Sequence, residues 1–249
     1  MNFRFLIFLV FFTLFLFSCE RTQNHVILTF DDSYVDEWFA QRELFNKYKI
    51  KVTFFISRPY RLSQEQIDKL NILAADGHEV GCHGMNHILA TEENQYQYIE
   101  NEIVPALKLM SGFGFSVTSF AYPFGQSTPF LDSVLSNYFT FVRKATYNYL
   151  DTLISTYPEI YVQKSNFCNT NTMGVDFNYN ISLDNLEDAL VKAKKTGSYL
   201  ALHAHAINES DEDYSISPKY LEDFFIRMKK HKVGGETCRE IVIRSSIVQ

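Results

Sequence analysis

Short apolar runs alternate with helix-spaced segments from His25 to about Lys230, and that alternation restricts the fold more than any other feature of the chain. The first run, His25-Val26-Ile27-Leu28-Thr29-Phe30, stops at Asp31-Asp32. Apolar positions at helical spacing follow over 34–48 (Trp38, Phe39, Leu44, Phe45, Tyr48). Val52–Ile56 reads as a second strand. Ser63 with Gln66 forms a capping box for a helix that Gly77 closes. Glu79–Cys82 is a third strand, and 92–110 is a helix that Pro105 should kink or split. Val117–Tyr122 is a fourth strand ended by Pro123-Phe124-Gly125, Thr128-Pro129 opens the next helix, and Phe139–Val142 is a fifth strand. Residues 145–180 are polar and irregular, with weak strands at 160–162 and 173–177. Ser182 caps a helix to Lys195 that Gly197 ends, Tyr199–Leu202 is a late strand, and Ser217-Pro218 opens a last long helix to about Lys230. Strands that alternate with helices pair in parallel through right-handed crossovers, as a barrel or a doubly wound sheet. No Gly-, Pro- or Ser-rich linker interrupts 25–249, which predicts one α/β domain. Its working residues should lie just past the carboxyl ends of the strands.

The first residues have a different character. Phe5–Phe17 is an apolar run behind Arg4, broken by Thr13. A membrane-spanning helix needs roughly 20 such residues, and a secretory signal core ~7–15. The run therefore reads as a signal peptide over 1–18. Leu16-Phe17-Ser18-Cys19 resembles the lipobox of bacterial lipoproteins, which implies lipidation of Cys19, a short linker over 19–24, and an exported protein anchored to the cell envelope. Removing 1–18 takes away only Arg4, leaving 22 of the 23 basic residues against 29 acidic ones. That balance argues against nucleic acid as a partner. Beyond Cys19 three cysteines remain, Cys82, Cys168 and Cys238, too few for a disulfide framework and without a CxxC pair.

Chemistry-bearing residues gather at three strand ends. The first strand ends in Asp31-Asp32, the third in His83-Gly84-Met85-Asn86-His87, and the late one in His203-Ala204-His205. Two imidazoles four residues apart can reach one ion, and a carboxylate from another strand end completes a site with positions left open for water and substrate.

Thr29-Phe30-Asp31-Asp32, His83-xxx-His87, Phe120–Gly125 and Leu202-His203 resemble the ordered motifs of the polysaccharide deacetylases, carbohydrate esterase family 4 with its NodB-homology domain. The resemblance covers roughly 25–232. It implies a distorted barrel of about seven βα units that hydrolyses acetyl groups on the sugars of an acetylated polysaccharide. It also implies Asp31 as general base, Asp32, His83 and His87 as ligands of a divalent metal, commonly zinc, and a late-strand histidine as general acid. His203 and His205 face the same side of a strand. The resemblance leans to His205, because arginine is common in the family where this chain has Ala121. Arg143, at the end of the next strand, is the substitute for that arginine. Tyr122, Pro123 and Phe124 should form a groove wall on which a sugar stacks. The family's fourth motif, with aspartates and a tryptophan, is not visible; Trp38 is the only tryptophan. These departures also allow a second reading, a glycan-binding lipoprotein that keeps the fold without the activity.

Overall fold

The computed structural model describes residues 25–147, 153–163, 167–210 and 212–247. The expected signal segment over 1–18, the expected linker over 19–24 and Cys19 lie outside the described residues. In chain order the elements are β1 (His25–Asp32), α1 (Val35–Ala40), α2 (Arg42–Tyr48), β2 (Thr53–Ile56), α3 (Gln64–Ala75) and β3 (Glu79–Cys82). Next come α4 (Gln95–Tyr98), a π-helical turn (Ile99–Ile103), α5 (Val104–Gly112), β4 (Ser119–Ala121), α6 (Pro129–Leu135) and β5 (Phe141–Thr146). The second half holds β6 (Tyr161–Val162), β7 (Thr170–Gly174), α7 (Leu183–Thr196), β8 (Tyr199–Ala204), β9 (Ala206–Ile207), β10 (Ser215–Ile216), α8 (Pro218–Lys230), β11 (Gly234–Gly235) and α9 (Cys238–Ile247).

Seven parallel strands run in the order β1-β2-β3-β4-β5-β7-β8, and β8 pairs back onto β1 to close a barrel. The seam between β3 and β4 is thin, a single pairing of Cys82 with Phe120. Side chains alternate across each strand, so residue parity divides the core in two. Val26, Leu28, Phe30, Phe54, Ile56, Phe120, Leu200 and Leu202 point outward and pack beneath the helices. Ile27, Phe55, Ala121, Phe141, Tyr199 and Ala201 point inward and fill the barrel. Cys238 and Ile241 of α9 join that inner set, so the C-terminal helix plugs the lower end.

The helix boundaries follow local chemistry. Ser63 and Gln66 make the reciprocal capping box, Ser182 and Ser217 cap α7 and α8 through their hydroxyls, and Gly197 ends α7 in the left-handed region that glycine adopts freely.

Four expectations need correction. The segment 34–48 is two helices broken at Gln41, whose amide turns back to Trp38 O (3.1 Å). The fifth strand starts at Phe141 and runs to Thr146, which brings Arg143 inside it. A strand occupies 170–174, earlier than the one expected at 173–177, in register with β5 and β8. The segments β9–β10, β11 and α9 carried no signal strong enough to predict them. Cys82, Cys168 and Cys238 are all free thiols. Among the described residues, no helix is long and apolar enough to cross a membrane.

Candidate metal and catalytic site

The upper ends of the strands surround a cavity of about 220 Å³ lined by Asp31, Asp32, His83, His87, Arg143, His203 and His205, with aromatic residues at its rim. Strand parity explains how they meet. Asp31, His83, Arg143 and His203 sit at inward positions one step above the apolar filling, and all four are buried. Asp32 is the next residue of β1 and faces the other way, partly exposed toward His87.

Asp32, His83 and His87 place one ligand atom each within 4.8 Å of one another. His87 Nε2 lies 3.4 Å from Asp32 Oδ1. The donor set suits a divalent ion, and so does its orientation. His83 Nδ1 donates to Ala121 O (2.8 Å), which leaves Nε2 free to ligate. Ser57 Oγ donates to Asp32 Oδ1 (3.2 Å) and holds that carboxylate. Burial lowers the pKa of His83. Burial and the neighbouring His83 lower that of His87 to about 4. Both rings are therefore neutral at pH 7, the form that ligates. Asp32 (φ 78°) and His87 (φ 58°) both hold left-handed backbone, which costs about 1–3 kcal/mol each and is concentrated at working sites.

Strand alternation turns Asp31 away from Asp32 and onto the inward face, where it pairs with Arg143. Burial alone would raise its pKa. The guanidinium of Arg143, helped by His83, His205 and His203, instead holds the carboxyl well below its ordinary range. Ala121 and Arg143 are register partners on β4 and β5, so an arginine on the neighbouring strand crosses above a methyl group to reach Asp31. Its guanidinium also lies 5.1 Å from the Phe55 ring.

The two late histidines have different surroundings. His203 is buried, and burial with Arg143 pushes its pKa well down. Thr172 Oγ1 gives its only proton to Lys144 O (3.0 Å), so it accepts from His203 Nδ1 (2.9 Å). His205 is partly exposed to the cavity. Burial acts to lower its pKa, but Asp176 outweighs that and raises it. Asp176 accepts twice from this residue, from the amide N–H (2.9 Å) and from Nδ1 (2.7 Å). Trp38 Nε1 donates to the carbonyl of His205 (2.7 Å). An aspartate and a tryptophan thus hold one histidine from elements far apart in sequence. Asp176 was missed by sequence reasoning because it lies in an irregular stretch; an acid just past a strand end was the one signal available.

The expected groove wall needs correction. Tyr122 occupies an outward parity position, is fully buried, and packs edge-on against Phe120 (5.1 Å), so it offers no ring face to a sugar. Pro123 is buried as well. Phe124 (φ 58°) is 54% exposed, with its ring 4.7 Å from that of His87. Across the cavity, Tyr214 packs against His205 (5.1 Å), and Tyr179 against His203 (5.9 Å). Gly174 is required beneath Tyr179, because a Cβ there would fall 2.2 Å from the tyrosine ring.

Residues 19–139 match the family model described as polysaccharide deacetylase. No curated protein matches the chain. Among solved structures, a family 4 acetyl xylan esterase from Clostridium thermocellum in complex with a cobalt ion superposes with a TM-score of 0.56 at 16% identity, over 88% of this chain and 90% of that one. The catalytic domain of a peptidoglycan N-acetylglucosamine deacetylase from Eubacterium rectale gives 0.53 at 13%, over 86% and 88%. A CE4 family pseudoenzyme from Bacillus anthracis gives 0.57 at 15%, over 88% of this chain and 65% of that one. At these identities the likeness speaks for the barrel fold.

Proposed function

We propose that this chain, a divergent relative of the polysaccharide deacetylases that its residues 19–139 match, is a metal-dependent hydrolase removing acetyl groups, N-linked above all, from sugars of a cell-envelope or extracellular polysaccharide. One observation carries the reading. Two adjacent carboxylates are assigned to different neighbours, Asp31 to Arg143 inside the barrel and Asp32 to the His83–His87 pair.

When bound at Asp32, His83 and His87, a divalent ion, zinc first, supplies Lewis-acid polarisation of the acyl oxygen and a lower pKa for a neighbouring water. Asp31, ionised beside Arg143, accepts the proton of the attacking water. Arg143 fixes the direction of that carboxylate and keeps it charged. His205 gives a proton from Nε2 to the departing amine, and Asp176 keeps the ring protonated and aimed. His203, buried and neutral, packs beside it. Phe124 and Tyr214, each about half exposed, are placed to hold a sugar ring at the mouth.

The test is acetate release from chitin oligomers, peptidoglycan fragments and acetylated xylan, with one equivalent of Zn²⁺ and after chelation. Chelator-sensitive release from at least one substrate is expected. Glycan binding without release from any would replace the enzyme by the binding-only reading.

Leu16-Phe17-Ser18-Cys19 supports export and anchoring through acyl chains on Cys19. Cys19→Ser should move the protein from the membrane to the soluble fraction; a wild type already soluble contradicts this.

A further inference from the structure

A further acid, besides the three aspartates already described, is buried near the metal ligands, and it lies on the one π-helical turn among the described residues. Glu102 is 2% exposed within Ile99–Ile103. Its carboxylate is turned toward the three residues between His83 and His87. Oε2 accepts from the amide N–H of Asn86 (2.8 Å), and Oε1 from the Asn86 side-chain amide (2.7 Å). Its main-chain oxygen accepts from the N–H of Met85 (3.0 Å). Gly84 (φ 85°) completes the contact, since a Cβ there would lie 2.8 Å from Glu102 Oε2. One residue thus grips Gly84, Met85 and Asn86 together, directly before His87 with its left-handed backbone.

Pro105 explains why the helix is built this way. Proline has no N–H for the carbonyl four residues earlier, and its ring collides with that carbonyl. The carbonyl belongs to Asn101, and it accepts from Asn86 Nδ2 (3.4 Å). The turn widens to the π form, with Val104 N–H bonded to Ile99 O, and π turns of this kind recur at functional sites.

We propose that Glu102 is a positioning residue for the metal site, holding the 83–87 loop so that His87 meets Asp32 and His83 at ligating distance. The inference rests on the metal-dependent reading above. It concerns a residue that touches neither ion nor substrate.

The experiment is Zn²⁺ binding by chelator competition for wild type, Glu102→Ala and Glu102→Gln, with visible spectra of the Co²⁺-loaded proteins and thermal melts of the metal-free ones. Residues that orient ligands typically change metal affinity by about 10–100-fold. Glu102→Ala should weaken Zn²⁺ by that factor and alter the Co²⁺ spectrum. Glu102→Gln keeps one acceptor but sets a donor against the Asn86 amide, so its loss should be smaller, a partial rescue that general destabilisation would not produce. Wild-type affinity and spectrum in Glu102→Ala or, if that variant does not fold, in Glu102→Gln, overturn the proposal and leave the metal reading standing. A wild type that binds no Zn²⁺ overturns both.

Discussion

At the lower end of the barrel Glu79 is buried among four donors, and at the upper end Asp31 is buried beside an arginine and three histidines. Glu79 accepts from Thr53 Oγ1 (3.0 Å), Ser119 Oγ (2.8 Å), Thr118 Oγ1 (3.3 Å) and the amide of Arg239 (2.8 Å). The last bond, with Thr53 Oγ1 accepting from Cys238 N–H (3.0 Å), fastens the start of α9 against the barrel floor. Its hydrogen-bond donors there are neutral hydroxyls and an amide, and burial raises the Glu79 pKa despite them and despite the charge of Arg239 nearby. Asp31 is just as deeply placed, yet a full positive charge at its side pulls its pKa the other way. On the proposed mechanism, depth alone does not mark a working carboxylate. What distinguishes Asp31 is a guanidinium paired directly with it on one side and a cavity on the other.

The largest effect that can break this contrast is on turnover. Asp31→Asn keeps the shape and removes the proton acceptor, so acetate release should fall by about 10²–10⁴-fold, the usual range for a general base. A variant retaining a tenth or more of the wild-type rate would put Asp31 in the same class as Glu79.

A smaller and more specific effect concerns Asp176. His205 must be protonated to act as an acid, and Asp176 raises its pKa above the ordinary 6.5. Activity should therefore fall as pH rises through that raised value. Asp176→Asn removes the cause, so the alkaline limb of the kcat profile should move to lower pH. Asp31 stays ionised throughout and does not set that limb. An unmoved limb in Asp176→Asn would take the role of acid away from His205.

The smallest catalytic effect belongs to the floor. Glu79→Ala leaves buried donors without an acceptor, at about 1–3 kcal/mol for each not reached by water. A chain of this size loses about 2–4 °C of Tm per kcal/mol, so the melting temperature should drop by at least about 5 °C. The rate of the folded protein at 25 °C should stay within about twofold of wild type. A tenfold loss without unfolding would show that the lower end works too.

The same contrast separates what was legible in the sequence from what was not. Asp31, Asp32, His83, His87, His203 and His205 follow strand runs, so their position at one barrel end could be read from local pattern. The capping box at Ser63 and the limits of α8 were equally local. Asp176 depends on a contact with a residue 29 positions on, and Trp38 on one 167 positions away; no periodicity encodes either. Tyr122 is a different case. Phe120, Tyr122 and Val80 share the outward parity, and a strict period of two along β4 would have sent that ring under the helices. The plug α9 and the two-residue β11 escaped notice because Gly234-Gly235 carries no apolar run, and α9 buries only part of one face against the barrel.

The division of labour between two neighbouring aspartates is the centre of the account, and metal content tests it most directly. Purified wild type, Asp31→Asn and Asp32→Ala, each loaded with Zn²⁺ and desalted, are compared by elemental analysis. Wild type and Asp31→Asn should each hold close to one ion per chain, and Asp32→Ala should hold little or none. Equal metal content in the two variants, whether both full or both empty, would contradict the assignment of Asp31 to the proton and Asp32 to the ion.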